Sequence, residues 1–312
     1  MTPGALVLHG FTGTPASVAG VAAALADAGF AVSSPLLPGH GEDLDAILAS
    51  GWPDWAAAAE AAYQDLAARA FPVVVAGLSM GGTLACWLAA AHPEVAGLVC
   101  VNPAVEPVAD SFLDILRGLL AAGVAVVPSG MGDDVARPGA GASTAGGAPV
   151  APLLSLFEGV AELAPRLGDI ACPLLLFTST QDHVVPTSAS DLLAARVAGP
   201  VERIALERSY HVATLDWDAP EIERRTVRFA AEATGPVLWA VAGCLFEVSL
   251  PGRGWRCVGP PPSVTLVSGD DRGRHHRFRF RAEVEGGSTL VFTQGAGAEH
   301  AVVVRITPER PR

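Results

Sequence analysis

The sequence predicts two architectures in succession: an α/β unit on a mostly parallel sheet carrying a helical cap insertion, then a small all-β sandwich. Three observations predict this. Over residues 1–234 short, continuously apolar runs alternate with helical patterns, whereas after "EATGP" the apolar period drops to two. Continuous apolar strands belong to sheets buried on both faces, and period two belongs to strands with one wet face. The charge balance inverts at the same place: residues 1–234 hold 10 arginines against 25 acids (−15), and residues 235–312 hold 10 against 7 (+3).

Taken in order, "ALVLHG" (5–10) reads as a buried strand, and residues 15–29 carry apolar side chains at helical spacing. "FAVSSP" (30–35) is the next strand, followed by the turn "LPGHG" and a helix through "WPDWAAAAEAAYQDLAARA". "PVVVAGL" (72–78) is a strand and 80–92 a helix. "VAGLVCVNP", "CPLLLFTST" and "VERIALE" are three further strands, and "APEIERRTVRFAAEA" is the last helix of the first domain, 1–234. Ligands of such sheets sit at the carboxyl ends of the strands.

Residues 104–168 break this rhythm. "SFLDILRGLLAAGVAVV" and "APLLSLFEGVAELAPRL" are helical in part, around a low-complexity centre, "GAGASTAGGAP", whose composition suits a linker. An insertion at the carboxyl edge of the sheet makes a cap. A surface excursion is the alternative, but it leaves the apolar helices without a role.

Residues 235–312 give seven short strand candidates: "VLWAVA", "CLFEVSL", "GWRCV", "SVTLVS", "HRFRFRAEV", "STLVFT" and "AVVVRIT". Their number and spacing suit an immunoglobulin-like sandwich. In "HRFRFRA" Phe278 and Phe280 face the core, leaving Arg277, Arg279 and Arg281 as a solvated face or a docking surface, the acidic first domain being one partner for it. Only Gly235 and Pro236 join the two domains.

Composition removes several functions. Half of the residues are hydrophobic and 17% charged, yet no apolar run reaches the roughly 18 residues needed to span a bilayer. The start, "MTPGALVLHGFTG", has neither a basic segment nor an apolar h-region, so the expected location is cytoplasmic. The first domain is too acidic to grip nucleic-acid backbones. The chain has no lysine, which excludes Walker-type loops, pyridoxal Schiff bases and Ser-Lys catalysis. The five cysteines are scattered, without C-x-x-C, and suggest neither a disulfide framework nor a zinc site.

One stretch carries chemistry. Gly77-Leu78-Ser79-Met80-Gly81 spells G-x-S-x-G between a strand and a helix. The serine could cap the helix, fill the turn or act as a nucleophile. A sharp strand-to-helix turn needs flanking residues without bulk, and the helix start offers free amides to a developing oxyanion. Asp182 in "TSTQDHVVP" stands just past one strand and His211 in "ERSYHVATLDWD" just past the next, with Glu207 a rival acid. In "LVLHGFTGTP" a strand ends in His-Gly-Phe, so the Phe11 amide can point where the Met80 amide points. His9 and His40 suit loop-holding hydrogen bonds, His183 suits the surface, and His92 stands at a helix end before Pro93.

Residues 5–233 resemble the bacterial carboxylesterase and monoacylglycerol lipase branch of the α/β-hydrolase superfamily, through "HGFTGTP", "LPGHG", "GLSMGGTLA", "DHVVP" and "SYHVATLDWD". The resemblance implies Ser79 as nucleophile, His211 as base, Asp182 as its orienter, Phe11 and Met80 as oxyanion donors, and no cofactor or metal. It implies cleavage of small-molecule esters, and the small apolar cap, "FLDILRGLL" with "LLSLFEGV", points to short- or medium-chain acyl esters or monoacylglycerols. Thioesterase, lactonase or acyltransferase chemistry would use the same residues. A non-catalytic binding or scaffold protein on this fold is the alternative of another class. Two departures stand out: relatives usually carry one or two strands before the His-Gly loop, and the Gly/Ala-rich cap centre is atypical.

Overall fold

The computed structural model describes residues 2–41, 44–128, 133–140, 147–235, 238–284, 286–295 and 298–307. Residues 141–146 of the low-complexity centre and Pro236 of the expected junction lie outside them. The chain forms two compact units, Met1–Ala230 and Ala231–Arg312.

The first unit opens with β1 (Gly4–Leu8), a short 3-10 turn over Pro15–Val18, α1 (Ala19–Asp27) and β2 (Ala31–Ser33). There follow α2 (Leu44–Leu48), α3 (Trp52–Arg69), β3 (Val73–Leu78), α4 (Met80–Ala91) and β4 (Gly97–Val101). At the start of α3 the Asp54 carboxylate accepts the Gly51 N–H at 3.0 Å, using a donor the helix itself cannot satisfy.

The cap comprises α5 (Asp110–Ala121), a two-stranded ribbon of β5 (Val126–Val127) and β6 (Ala148–Pro149), and α6 (Val150–Leu163). The ring of Phe112 meets Phe157 edge to face, with centroids 5.7 Å apart, which ties α5 to α6. After the cap come β7 (Leu174–Ser179), α7 (Thr187–Arg196), β8 (Val201–Leu206) and α8 (Ala219–Thr234).

The six strands form one parallel sheet in the order β2-β1-β3-β4-β7-β8. Both faces are covered, which is why β1, β3 and β4 are apolar at every position and β7 is buried throughout, including Thr178 and Ser179 at its end. Leu6, Leu8, Val73, Val75, Leu98 and Cys100 pack with α3 and α4, while Val7, Ala76 and Val99 meet residues of α1 and α8. Edge strand β8 alternates instead, and its Glu202 binds Arg225 at 3.1 Å. Cys86 and Cys100 are buried, but Cys244 is exposed.

In the second unit β9 (Leu238–Val241), β10 (Leu245–Pro251), β11 (Trp255–Val258), β12 (Val264–Arg272), β13 (His275–Ala282), β14 (Gly286–Gln294) and β15 (Ala298–Thr307) form two sheets. Their orders are β10-β13-β12 and β11-β14-β15-β9. All pairings are antiparallel except that of β9 with β15. Phe278 and Phe280 of one sheet and Phe292 of the other share a core, the Phe278 and Phe292 rings lying 4.7 Å apart. Arg277, Arg279 and Arg281 are exposed, and Glu247 lies 3.5 Å from Arg277 and 3.8 Å from Arg279.

Candidate active site

The serine sits on a strained corner. Ser79 has φ 53° and ψ −118° between the end of β3 and the start of α4, a conformation costly for any residue with a Cβ. Its neighbours must be glycine. A Cβ on Gly77 would lie 2.1 Å from the Gly81 carbonyl oxygen, and one on Gly81 would lie 2.2 Å from that of Leu8. The corner therefore closes only with these two residues bare.

The structure brings the three sequence-predicted side chains together. His211 Nε2 lies 2.9 Å from Ser79 Oγ, and His211 Nδ1 lies 2.8 Å from Asp182 Oδ2. The side chains of His211 and Asp182 are 4% and 2% exposed, so water competes little for these bonds. A carboxylate only accepts, which places the ring proton on Nδ1 and leaves Nε2 free to accept from the serine hydroxyl. Asp182 is itself fixed, because its Oδ1 accepts the Val184 and Val185 N–H groups, each at 2.8 Å. The rival acid Glu207 is exposed, and among the described contacts its carbonyl, not its carboxylate, is used, accepting from Gln181 at 2.7 Å.

Met80 is the first residue of α4, a position whose N–H has no acceptor within the helix. Phe11 follows β1 and lines the same cavity as Ser79. The loop bearing it is held by His9, whose Nδ1–H donates to the Gly10 carbonyl at 2.9 Å while Nε2 accepts the Leu37 N–H at 3.1 Å. Burial lowers the His9 pKa to about 4, opposed by the Gly10 bond and assisted by His40. Burial also lowers the His40 pKa, against hydrogen bonds to Pro38 and Leu37. His92 pairs with Glu60 at 2.9 Å.

Above the serine lies a cavity of about 480 Å³. The cap supplies Phe112, Leu153, Leu156 and Phe157 to it, and the loop after Asp182 supplies Val184 and Val185. Among the described residues its one carboxylate is Glu106, which accepts from the Ser188 hydroxyl at 2.5 Å. Among the described residues no group of three or more His, Cys, Asp or Glu side chains is placed to hold a metal ion.

Sequence reading missed three supporting residues. Asn102, at φ 46° after β4, donates to the His211 carbonyl at 2.8 Å and accepts the Ser179 N–H at 2.7 Å. Asp216 is fully buried and accepts the Tyr210 N–H at 2.9 Å. Asp134, in the cap, accepts the His211 N–H at 3.1 Å.

A family model described as serine aminopeptidase, S33 (Hydrolase_4) matches residues 4–218. The chain belongs to this family. It is 38% identical over 234 residues to a thermostable monoacylglycerol lipase of Bacillus sp. (strain H-257), a match covering 74% of this chain and 92% of the relative. A solved structure from work on the metagenome-derived lipolytic enzymes LipS and LipT shares 35% identity at a TM-score of 0.69, over 73% of this chain and 92% of that one. A monoacylglycerol lipase of Paleococcus ferrophilus shares the fold at a TM-score of 0.59 and 19% identity, over 73% of this chain and 95% of that one. With this family and these relatives, the protein is a hydrolase of the lipase and esterase type on the α/β-hydrolase fold. The family match ends before the second unit. No helix among the described residues is long and apolar enough to cross a membrane.

Proposed function

We propose that the protein is a serine carboxylester hydrolase that cleaves short- and medium-chain acyl esters or monoacylglycerols through an acyl-enzyme. The carrying observation is the continuous hydrogen-bonded path from Ser79 Oγ through the His211 ring to Asp182, opening into an apolar cavity. Ser79 Oγ attacks the ester carbonyl as its proton passes to His211 Nε2. The resulting imidazolium is stabilised by Asp182, and the oxyanion is held by the Phe11 and Met80 amides. When the tetrahedral adduct collapses, His211 gives that proton to the leaving alcohol, and the acyl group stays on Ser79. Water, deprotonated by His211, repeats the sequence and releases the acid.

An apolar wall holding one carboxylate suits a hydrocarbon acyl chain better than a polar or anionic one. The family description speaks of aminopeptidases and the 38% identical relative of a monoacylglycerol lipase. The wall and the relative agree on the ester. A ladder of 4-nitrophenyl and glycerol monoesters, compared with amino-acid anilides, tests this. The expected optimum is a short or medium acyl ester, with anilides at least about a hundredfold slower, a gap of about 2.7 kcal/mol. A preference for anilides, or for emulsified long-chain triacylglycerols, would remove the substrate assignment.

A further inference from the structure

The catalytic contacts join two loops, one after β7 with Asp182 and one after β8 with His211. A single side chain from the cap reaches both. Asp134 Oδ2 accepts the backbone N–H of His211 at 3.1 Å and that of His183 at 3.2 Å. Its Oδ1 accepts the His183 ring Nδ1–H at 2.8 Å, and its carbonyl accepts the Val212 N–H at 3.0 Å. The carboxylate is 14% exposed, while the His183 ring over it is 59% exposed. His183 is the neighbour of Asp182, so both amides that Asp134 grips flank the contact between the acid and the base.

The segment bearing Asp134 is fastened in return. Ala136 and Arg137 donate their N–H groups to Asp216 at 2.7 and 2.9 Å. Asp216 belongs to the His211 loop, where it also accepts from the Tyr210 and Trp217 amides at 2.9 and 2.7 Å. A cap carboxylate therefore holds the catalytic loops, and a carboxylate of the catalytic loop holds the cap. A plain surface staple would need neither the burial nor the convergence of both loops on one side chain.

We infer that Asp134 is a positioning residue, which sets the Asp182–His211 register and makes the competence of Ser79 depend on the seating of the cap. The inference rests on the reading of Ser79 as nucleophile. An alanine in its place removes the oxygen that accepts both backbone amides, so the His183 and His211 N–H groups lose their partner, whereas an asparagine can keep that acceptor. A misplacement on the scale of 1 Å costs up to about a hundredfold in rate.

The test compares wild type, Asp134→Ala and His183→Ala. It measures the rate of Ser79 phosphonylation by a fluorophosphonate, kcat and KM on 4-nitrophenyl butyrate, and Tm. In Asp134→Ala, phosphonylation and kcat should both fall about ten- to a hundredfold, with KM within about threefold of wild type. His183→Ala keeps both amide bonds and should stay within about threefold. A folded Asp134→Ala protein with phosphonylation and kcat within twofold of wild type overturns the inference, as does a loss confined to KM. If Asp134→Ala does not fold, amide hydrogen exchange in the wild-type protein decides. The His183 and His211 amides should open together with those of Ala136 and Arg137, and independent, fast exchange at His211 overturns the inference. If wild type is phosphonylated at Ser79 yet cleaves no ester, the substrate assignment fails while the labelling rates still judge Asp134.

Discussion

The two units bury different things. In the first, His9, His40, Asn102, Ser179, Ser209, His211, Asp216 and Asp218 all lie buried among apolar side chains. In the second, every buried residue among those described is apolar, from Val248 and Leu250 to Phe292 and Ile306. Burying a polar group costs free energy unless its partners are supplied, so a chain tolerates such groups where they serve a structure that apolar packing cannot build. Here they surround the ends of β1, β2, β4, β7 and β8. The first unit thus carries the buried polar groups of the candidate site, and the described buried residues of the second form an apolar core.

Among the residues that support Ser79, the largest effect should come from the acid. Asp182→Asn favours the wrong imidazole tautomer and should lower kcat about 10⁴-fold, whereas Glu207→Gln should leave it within twofold. Steady-state kinetics of both variants checks this, and a larger loss from Glu207→Gln would move the acid to the other side chain.

Next comes the core of the second unit. Phe280 is fully buried, between the rings of Phe246 and Phe292. Phe280→Ala should destabilise that unit by about 3–5 kcal/mol yet leave kcat within about twofold. Denaturant unfolding alongside kinetics measures both, and a matching fall in kcat would erase the contrast between the units.

The buried histidines of the first unit give it an acid sensitivity. His9 has its pKa lowered to about 4, so between about pH 6.5 and pH 4 the unfolded chain takes up a proton that the native state refuses. Stability therefore rises with pH across that window and falls on acidification, by up to about 3 kcal/mol for His9 alone. His40 acts in the same direction. Protonation would also set an N–H on His9 Nε2 against the Leu37 N–H it now accepts. Urea unfolding at pH 6.5 and pH 4.5 reads the slope, and His9→Gln should flatten it.

The smallest expected effect concerns the cavity wall. Glu106→Gln should raise kcat/KM for an anionic ester, mono-4-nitrophenyl glutarate, a few-fold at low salt by removing a repulsion of about 1 kcal/mol, and leave 4-nitrophenyl butyrate unchanged. An equal change on both esters would show that the carboxylate shapes the pocket without selecting charge.

The strands of the first unit were legible because burial on both faces writes itself as unbroken apolar runs, as in "PVVVAGL". Ser79, Asp182 and His211 were legible because each stands just past a strand end, where a parallel sheet gathers its functional groups. Asp134 and Asp216 were not. Their partners are mostly backbone amides, which carry no residue identity, and Asp134 lies 77 positions from His211 inside a cap of weak pattern. In the second unit the seven strands could be read from alternation, but the parallel pairing of β9 with β15 could not, since period two says nothing of neighbours.

The central claim is that an acyl group passes through Ser79. Rapid mixing with 4-nitrophenyl butyrate, an acid quench and peptide mass spectrometry test it directly. A butyryl adduct is expected on the peptide containing Ser79, formed with a burst of nitrophenolate and absent from Ser79→Ala, whose kcat should fall about a million-fold. An adduct on another residue, or a folded Ser79→Ala protein that keeps a tenth of the wild-type rate, would contradict it.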